Sequence, residues 1–168
     1  MQNYFSSNFK LGILGGGQLG KMLLYETRKF DIQTHVLDPS AEAPCRIACD
    51  YFEQGSLMDF DTVINFGKKV DLLTFEIESV SVEALEYLEN QGKIVYPSSK
   101  TLRIIQNKSK QKQFYVDHQI PTAKFKPFNS KTELTEALVH KQLGFPFVWK
   151  SAVGGYDGKG VSIIRNEE

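Results

Sequence analysis

Two glycine-rich segments hold most of the residues whose types and spacing suit them to chemistry. Residues 154–160 read GGYDGKG, four glycines in seven positions around Lys159. Glycines let a ligand come close to backbone N–H groups, and such amides beside a lysine suit phosphate oxygens. Lys150, nine residues before Lys159, adds a second cation at the end of an expected strand. The segment lies between two expected strands, not between a strand and a helix, and no Ser or Thr follows Lys159. It is therefore no Walker-type phosphate loop. It reads either as a hairpin flap folded over a nucleotide or as an ordinary turn with glycines at positive φ. Four glycines are more than a turn requires, which favours the flap.

In the other segment Gly15, Gly17 and Gly20 fit G-x-G-x-x-G between an expected strand and an expected helix. Glycines there allow a tight turn and let a ligand approach amides at the positive end of the helix. Asp38, at the end of the next strand, stands where dinucleotide-binding domains place a ribose-binding acid. Three readings stay open at this point: a dinucleotide, another phosphorylated ligand, and a turn needed only for close strand–helix packing. Cys45 and Cys49 have no second Cys or His pair at zinc spacing, and His35, His118 and His140 are scattered. The two thiols read as a reduced, structural pair, and no metal site is expected.

The elements that must hold these segments follow from periodicity. KLGIL (10–14) is an apolar run ahead of the first glycines, and Leu19, Met22, Leu23 and Phe30 then fall near helical spacing. THVLD (34–38) is a second strand, residues 57–68 a helix, and VDLLTFE (70–76) a strand buried on both faces. Ser81 caps a helix that ends at Gly92, and KIVYP (93–97) is a fourth strand. This β-α-β succession predicts an open α/β domain with a parallel sheet over residues 1–97. Residues 98–168 read as α+β: one or two basic helices over 98–119, an extended proline-punctuated segment over 120–128, a helix around Glu133–Gln142, and strands PFVWK (146–150) and VSIIR (161–165). That part stops just after a strand and reads as a truncated domain.

Composition bounds the function class. Hydrophobic residues are 41% and charged residues 24% of 168, which fits a globular fold and argues against disorder. No apolar run approaches the roughly 18 residues that span a bilayer, and the first ten residues lack a basic start followed by an apolar core. A cytoplasmic location without membrane attachment is expected. The net charge is zero, yet residues 1–97 carry 14 acidic against 8 basic side chains and residues 98–168 carry 6 against 12. The basic half either meets an anionic ligand or attracts the acidic half. Nucleic acid is not favoured, because the basic residues are not interleaved with aromatic platforms.

Taken in order, GGGQLGKM, VLDPSAEAPC, TFEIESV, QNKSKQKQF, IPTAKF and VWKSAVGGYDGKG resemble the 5-(carboxyamino)imidazole ribonucleotide synthetases of the ATP-grasp superfamily, from about Leu11 to Ser162. The resemblance implies a Rossmann-like, pre-ATP-grasp substrate domain over 1–97, followed by the first part of an ATP-grasp domain over 98–168. It implies ATP-dependent carboxylation of 5-aminoimidazole ribonucleotide with bicarbonate, in de novo purine synthesis. By position, Lys108, Lys150, Gly155, Tyr156, Asp157, Gly158, Lys159, Gly160 and Val161 fall on nucleotide-binding positions. Lys108 stands where the family usually has arginine; it keeps the charge and loses the planar fork. Gly17, Gln18, Leu19 and Glu76 fall on positions bordering the ribonucleotide, and Tyr156 and Asp157 on the carboxylation centre between the ligands. Asp38 then becomes a turn residue rather than a ribose ligand.

The resemblance also implies a homodimer and a Mg²⁺ ion on ATP, with its ligands outside this chain. This polypeptide alone is expected to show no ATP-dependent carboxylation. The competing readings are another ATP-grasp ligase, such as a formate-using ribonucleotide transformylase or biotin carboxylase, an NAD-binding Rossmann domain, and a non-catalytic binding fragment.

Overall fold

In a computed structural model, which describes residues 4–140, 142–155 and 159–166, the chain divides into two compact units, Met1–Arg103 and Ile104–Glu168. The first unit is an open sheet. Strands β1 (Lys10–Leu14), β2 (Gln33–Asp38), β3 (Tyr51–Gln54), β4 (Leu72–Phe75) and β5 (Ile94–Val95) lie in the order β3-β2-β1-β4-β5. Every neighbouring pair is parallel. Helices α1 (Gln18–Thr27), α2 (Phe60–Gly67) and α3 (Val82–Asn90) make three of the connections, and the 3₁₀ turn Pro44–Ile47 lies in the fourth, between β2 and β3. The α/β, Rossmann-like reading holds, with one strand more than the periodicity showed. β3 is an edge strand of four residues in the burial pattern exposed–half–half–exposed, too short and too polar to carry a strand signature.

The alternation of a strand sends neighbouring residues to opposite faces. Ile13 of β1 and Val36 of β2 pack with Leu24 of α1 and Cys45 in one cluster. Leu14 and Leu37, one residue on, pack with Val63, Phe66, Leu73, Leu85 and Leu88 in the other. Each such Leu or Phe, fully buried, contributes roughly 1.5–3 kcal/mol. These two layers fix the orientation of β1 and β4, and therefore where the loops at their carboxyl ends emerge. α4 (Ser99–Ile105) closes the second cluster with Leu102, and its Ser99 N–H donates to Glu89 at 3.0 Å.

Helix starts are set by side-chain acceptors for first-turn N–H groups. Asp59 takes the Thr62 N–H at 2.8 Å and Ser81 takes that of Ala84 at 3.3 Å. α1 differs: its N-cap is Gly17, which has no side chain to offer.

The second unit contains α5 (Lys108–Asp117), α6 (Lys131–Val139) and an antiparallel pair, β6 (Phe147–Lys150) with β7 (Val161–Ile164), in which Lys150 faces Val161. Asn107 interrupts the basic helical stretch by capping α5 through the Lys110 N–H at 3.0 Å, so there are two helices here and not one. Ser130 caps α6, and Glu133 reaches back to the Asn129 N–H at 2.8 Å. Among the described residues no helix is long and apolar enough to cross a membrane.

Candidate functional site

The order β3-β2-β1-β4-β5 reverses direction between β1 and β4, and in open α/β sheets ligands bind in the crevice outside the carboxyl ends of the strands at that point. The first glycine segment leaves β1 here, and Glu76 leaves β4. The Glu76 N–H donates to Leu14 O at 3.1 Å, so β4 continues its pairing with β1 up to the site. Gly17, Gln18, Leu19 and Glu76, up to 59 positions apart in sequence, are thus brought together. Gln18 and Leu19 form the exposed first turn of α1, and Leu19 keeps 62% of its surface in solvent.

The loop amides are not open to a ligand as the glycine pattern predicts. Gly15 N–H donates to Leu37 O at 2.9 Å. Gly16 N–H donates to Asp38 Oδ2 at 2.6 Å, and Gly17 N–H to Glu76 Oε1 at 3.0 Å. Gly15 has a φ of +101°, and a Cβ there would meet Glu76 Oε1 at 2.9 Å. That backbone turn is what aims the next two amides at carboxylates. Asp38 uses its other oxygen on the Ser40 N–H at 2.8 Å. Both oxygens of the residue that could have bound a ribose are engaged in holding the loop and its own turn.

Cys45 completes the clamp. Its N–H donates to Gly16 O at 3.0 Å, and its Sγ lies 3.7 Å from Gly17 O. Both cysteines are free thiols. Burial, with the nearby Cys49, Glu76 and Asp38 adding negative potential, pushes the Cys45 thiol up to about 11, while Lys21 pulls the other way. Burial likewise raises Cys49. Neither thiol is a nucleophile at neutral pH. The sequence gives Cys45 no functional signal, because its contribution depends on the path of the chain after Pro39.

In the second unit Lys150 ends β6, Val161 begins β7, and Ser151 N–H donates to Gly160 O at 2.8 Å to add one more rung. Gly160 has φ +72°, and a Cβ there would meet Ser151 Oγ at 2.8 Å; one at Gly155 would meet Lys159 O at 2.8 Å. Glycine is required at both positions by this close approach. Lys108 donates its N–H to Ala152 O at 2.7 Å, which ties the start of α5 to the arm of the glycine segment. Lys108, Lys150, Gly155, Lys159, Gly160 and Val161 are therefore on or beside one hairpin. Tyr156, Asp157 and Gly158 lie outside the described residues. The tie through Ala152 is a backbone contact that no side-chain pattern announces. Among the described residues no group of three or more His, Cys, Asp or Glu side chains could hold a metal ion.

Comparison with known proteins adds the following. Residues 9–106 match the model of the ribonucleotide synthetase preATP-grasp domain, and residues 113–168 match the ATP-grasp domain. An N5-carboxyaminoimidazole ribonucleotide synthase of Staphylococcus haemolyticus is 33% identical over 158 residues, 94% of this chain and 41% of the relative. The crystal structure of N5-carboxyaminoimidazole synthetase from Staphylococcus aureus complexed with ADP has a TM-score of 0.88 at 31% identity, covering 99% of this chain and 44% of that one. That of the Aspergillus clavatus N5-carboxyaminoimidazole synthase in complex with ADP and 5-aminoimidazole ribonucleotide has a TM-score of 0.82 at 33% identity, covering 98% and 42%. The chain spans about two fifths of the length of the curated relatives it matches.

Proposed function

Because the chain belongs to the ribonucleotide synthetase pre-ATP-grasp family, we propose that it serves the ATP-dependent carboxylation of 5-aminoimidazole ribonucleotide. Bicarbonate oxygen takes the γ-phosphoryl group of ATP, giving carboxyphosphate and ADP. The ribonucleotide's amine then attacks the carboxyl carbon, the C–O bond to phosphate breaks, and the amine proton is lost, leaving the N5-carboxyamino product and phosphate. Residues 1–97 act as the substrate domain, with Gly17, Gln18, Leu19 and Glu76 against the ribonucleotide. Residues 98–168 act as the first part of the ATP-grasp domain.

Lys108, Lys150, Lys159 and the glycine amides supply positive charge to the nucleotide phosphates, and Tyr156 and Asp157 organise the carboxylation centre. Such phosphoryl transfer depends mostly on positioning and charge compensation. Among the described residues no group of three or more His, Cys, Asp or Glu side chains could hold the Mg²⁺ ion. Assembly as a homodimer belongs to the same reading.

The observation that carries the proposal is the convergence of the first turn of α1 with Glu76 at the switch point of the sheet. It is tested by thermal shift of this chain. Ligand at a hundred times its Kd stabilises by about 2.7 kcal/mol, so 5-aminoimidazole ribonucleotide and ADP should each raise Tm. Glu76→Ala should abolish the first response alone and Lys150→Ala the second alone. No response to either ligand from the wild-type chain would sink the reading.

A further inference from the structure

Most of the large apolar residues of α1 do not face the core. On its inner side α1 buries Gly20, Leu24 and Thr27, and Leu24 packs with Ile13 and Val36. A surface helix ordinarily turns its apolar stripe inward and its charged residues outward. Here Met22 keeps 54% and Tyr25 56% of its surface in solvent, and Phe30, in the turn that follows α1, keeps 50%. Leu23 is exposed as well. Met22, Tyr25, Glu26 and Lys29 are spaced by three and four, so they form one outward stripe opposite the buried residues.

The stripe has the size of a contact surface. Aromatic side chains bury about 150–250 Å² each, so half-exposed Tyr25 and Phe30 offer about 100 Å² apiece. With Met22 and Leu23 the apolar area is on the order of 400 Å², the size at which a patch on a monomer is often functional. A standard interface buries about 800 Å² per partner, of which about 60% is apolar. The stripe comes close to that share.

Its charges say what covers it. Glu26 and Lys29 lie within the stripe as an ion pair 2.5 Å apart, both about two-thirds exposed. Such an exposed pair contributes little to the stability of the chain that carries it. An acid and a base three positions apart make the stripe complementary in charge to its own inverted copy, where two like charges would repel.

We infer that the outward stripe of α1 is the contact between two copies of this chain. The two stripes lie antiparallel across a two-fold axis, so that each contact occurs twice. Glu26 of each copy faces the partner's Lys29, and Tyr25 packs toward the partner's Phe30. This deepens the homodimer reading given above and rests on it: that reading names no surface, and α1 supplies one.

The test is sedimentation equilibrium of the full 168-residue chain over a wide range of concentration. The wild type should associate reversibly to a dimer. Glu26→Lys and Lys29→Glu should each weaken association about tenfold, as two attractive pairs become repulsive. The double variant, Glu26→Lys with Lys29→Glu, should regain wild-type association. Tyr25→Glu, which removes a central aromatic anchor, should weaken it by about thirtyfold or more. Matching thermal unfolding of each variant guards against a folding defect, and should Tyr25→Glu fail to fold, the charge series decides alone. A dimer that none of these changes weakens, or a double variant that stays as weak as the single ones, overturns the surface and leaves the homodimer reading standing. A wild type that stays monomeric overturns both. Wild-type chain that binds vesicles of anionic phospholipid without self-associating would assign the stripe to a membrane surface and equally overturn the inference.

Discussion

A methyl group on Gly20 would stand 2.7 Å from the carbonyl oxygen of Gly15 and 3.1 Å from Cys45 Sγ. Alanine is about 1 kcal/mol better than glycine inside a helix, so propensity alone favours the replacement. Overpacking costs about 1–3 kcal/mol, and here the obstacle is a backbone oxygen in a turn already fixed by Leu37, Asp38, Cys45 and Glu76. Sterics should win. Gly20→Ala is expected to destabilise the fold by a net of about 1 kcal/mol, seen as a lower urea midpoint with an unchanged slope; a midpoint at or above the wild type would show that the turn yields. At this scale the sequence was informative about where glycine is needed and uninformative about what fills the amides. The pattern at Gly15, Gly17 and Gly20 announces a tight turn. That the Glu76 carboxylate accepts the Gly17 N–H depends on a residue at the end of a different strand.

The edge of the sheet carries a titratable joint. His35 of β2 lies opposite Tyr51 of β3, their rings stacked 4.4 Å apart at 21°. The ring is buried and its Nε2 has no hydrogen-bond partner among the described residues. Burial, followed by the Lys10 charge, holds the imidazole below its ordinary 6.5; Glu53 and Asp50 oppose the shift and Lys69 adds to it. The fold therefore favours the neutral ring. The stability this gives is complete above about pH 6.5 and is lost as pH falls through that value toward the lowered one in the folded state. Between about pH 7 and pH 5 the wild-type Tm should drop more steeply than that of His35→Phe, which keeps an aromatic ring and cannot take a proton. Parallel Tm profiles for the two proteins would refute the account. β3 itself was not legible in the sequence, since its four residues pair on one side only and show no apolar run. The longer buried strands β1, β2 and β4 were legible, because burial on both faces demands continuous apolar residues.

The whole molecule is uneven in how it is held together. Both apolar clusters consist wholly of residues at or before Leu102. In the second unit Ala137 is the one buried hydrophobic residue among those described, while Val148, Trp149, Val161 and Ile163 of its hairpin are exposed. Apolar burial is the dominant favourable term in folding. A chain of residues 1–103 is thus expected to fold alone and to unfold cooperatively, with a denaturant midpoint close to that of the main transition of the full chain, as read by circular dichroism. An unfolded 1–103 chain would mean that the second unit supplies stability the burial pattern does not reveal. The opposed charges of residues 1–97 and 98–168 fit the division of labour proposed above, with the nucleotide phosphates assigned to the basic part.

Local rules were enough to read most elements from the residues: apolar runs for strands, 3.6-residue spacing with Ser81 as a cap for helices, and glycines where the backbone must turn left or pass close to another chain segment. Those rules act over a few residues and so survive in sequence. The resemblance of ordered motifs carried the family and the candidate residues. Only the tertiary structure decided that Asp38 and Glu76, 38 positions apart from one another, meet the same glycine turn from two strands, because strand order is set by which faces bury together and not by proximity in the chain. Hydrogen bonds of this kind link a backbone amide to a distant side chain and leave no periodicity behind them.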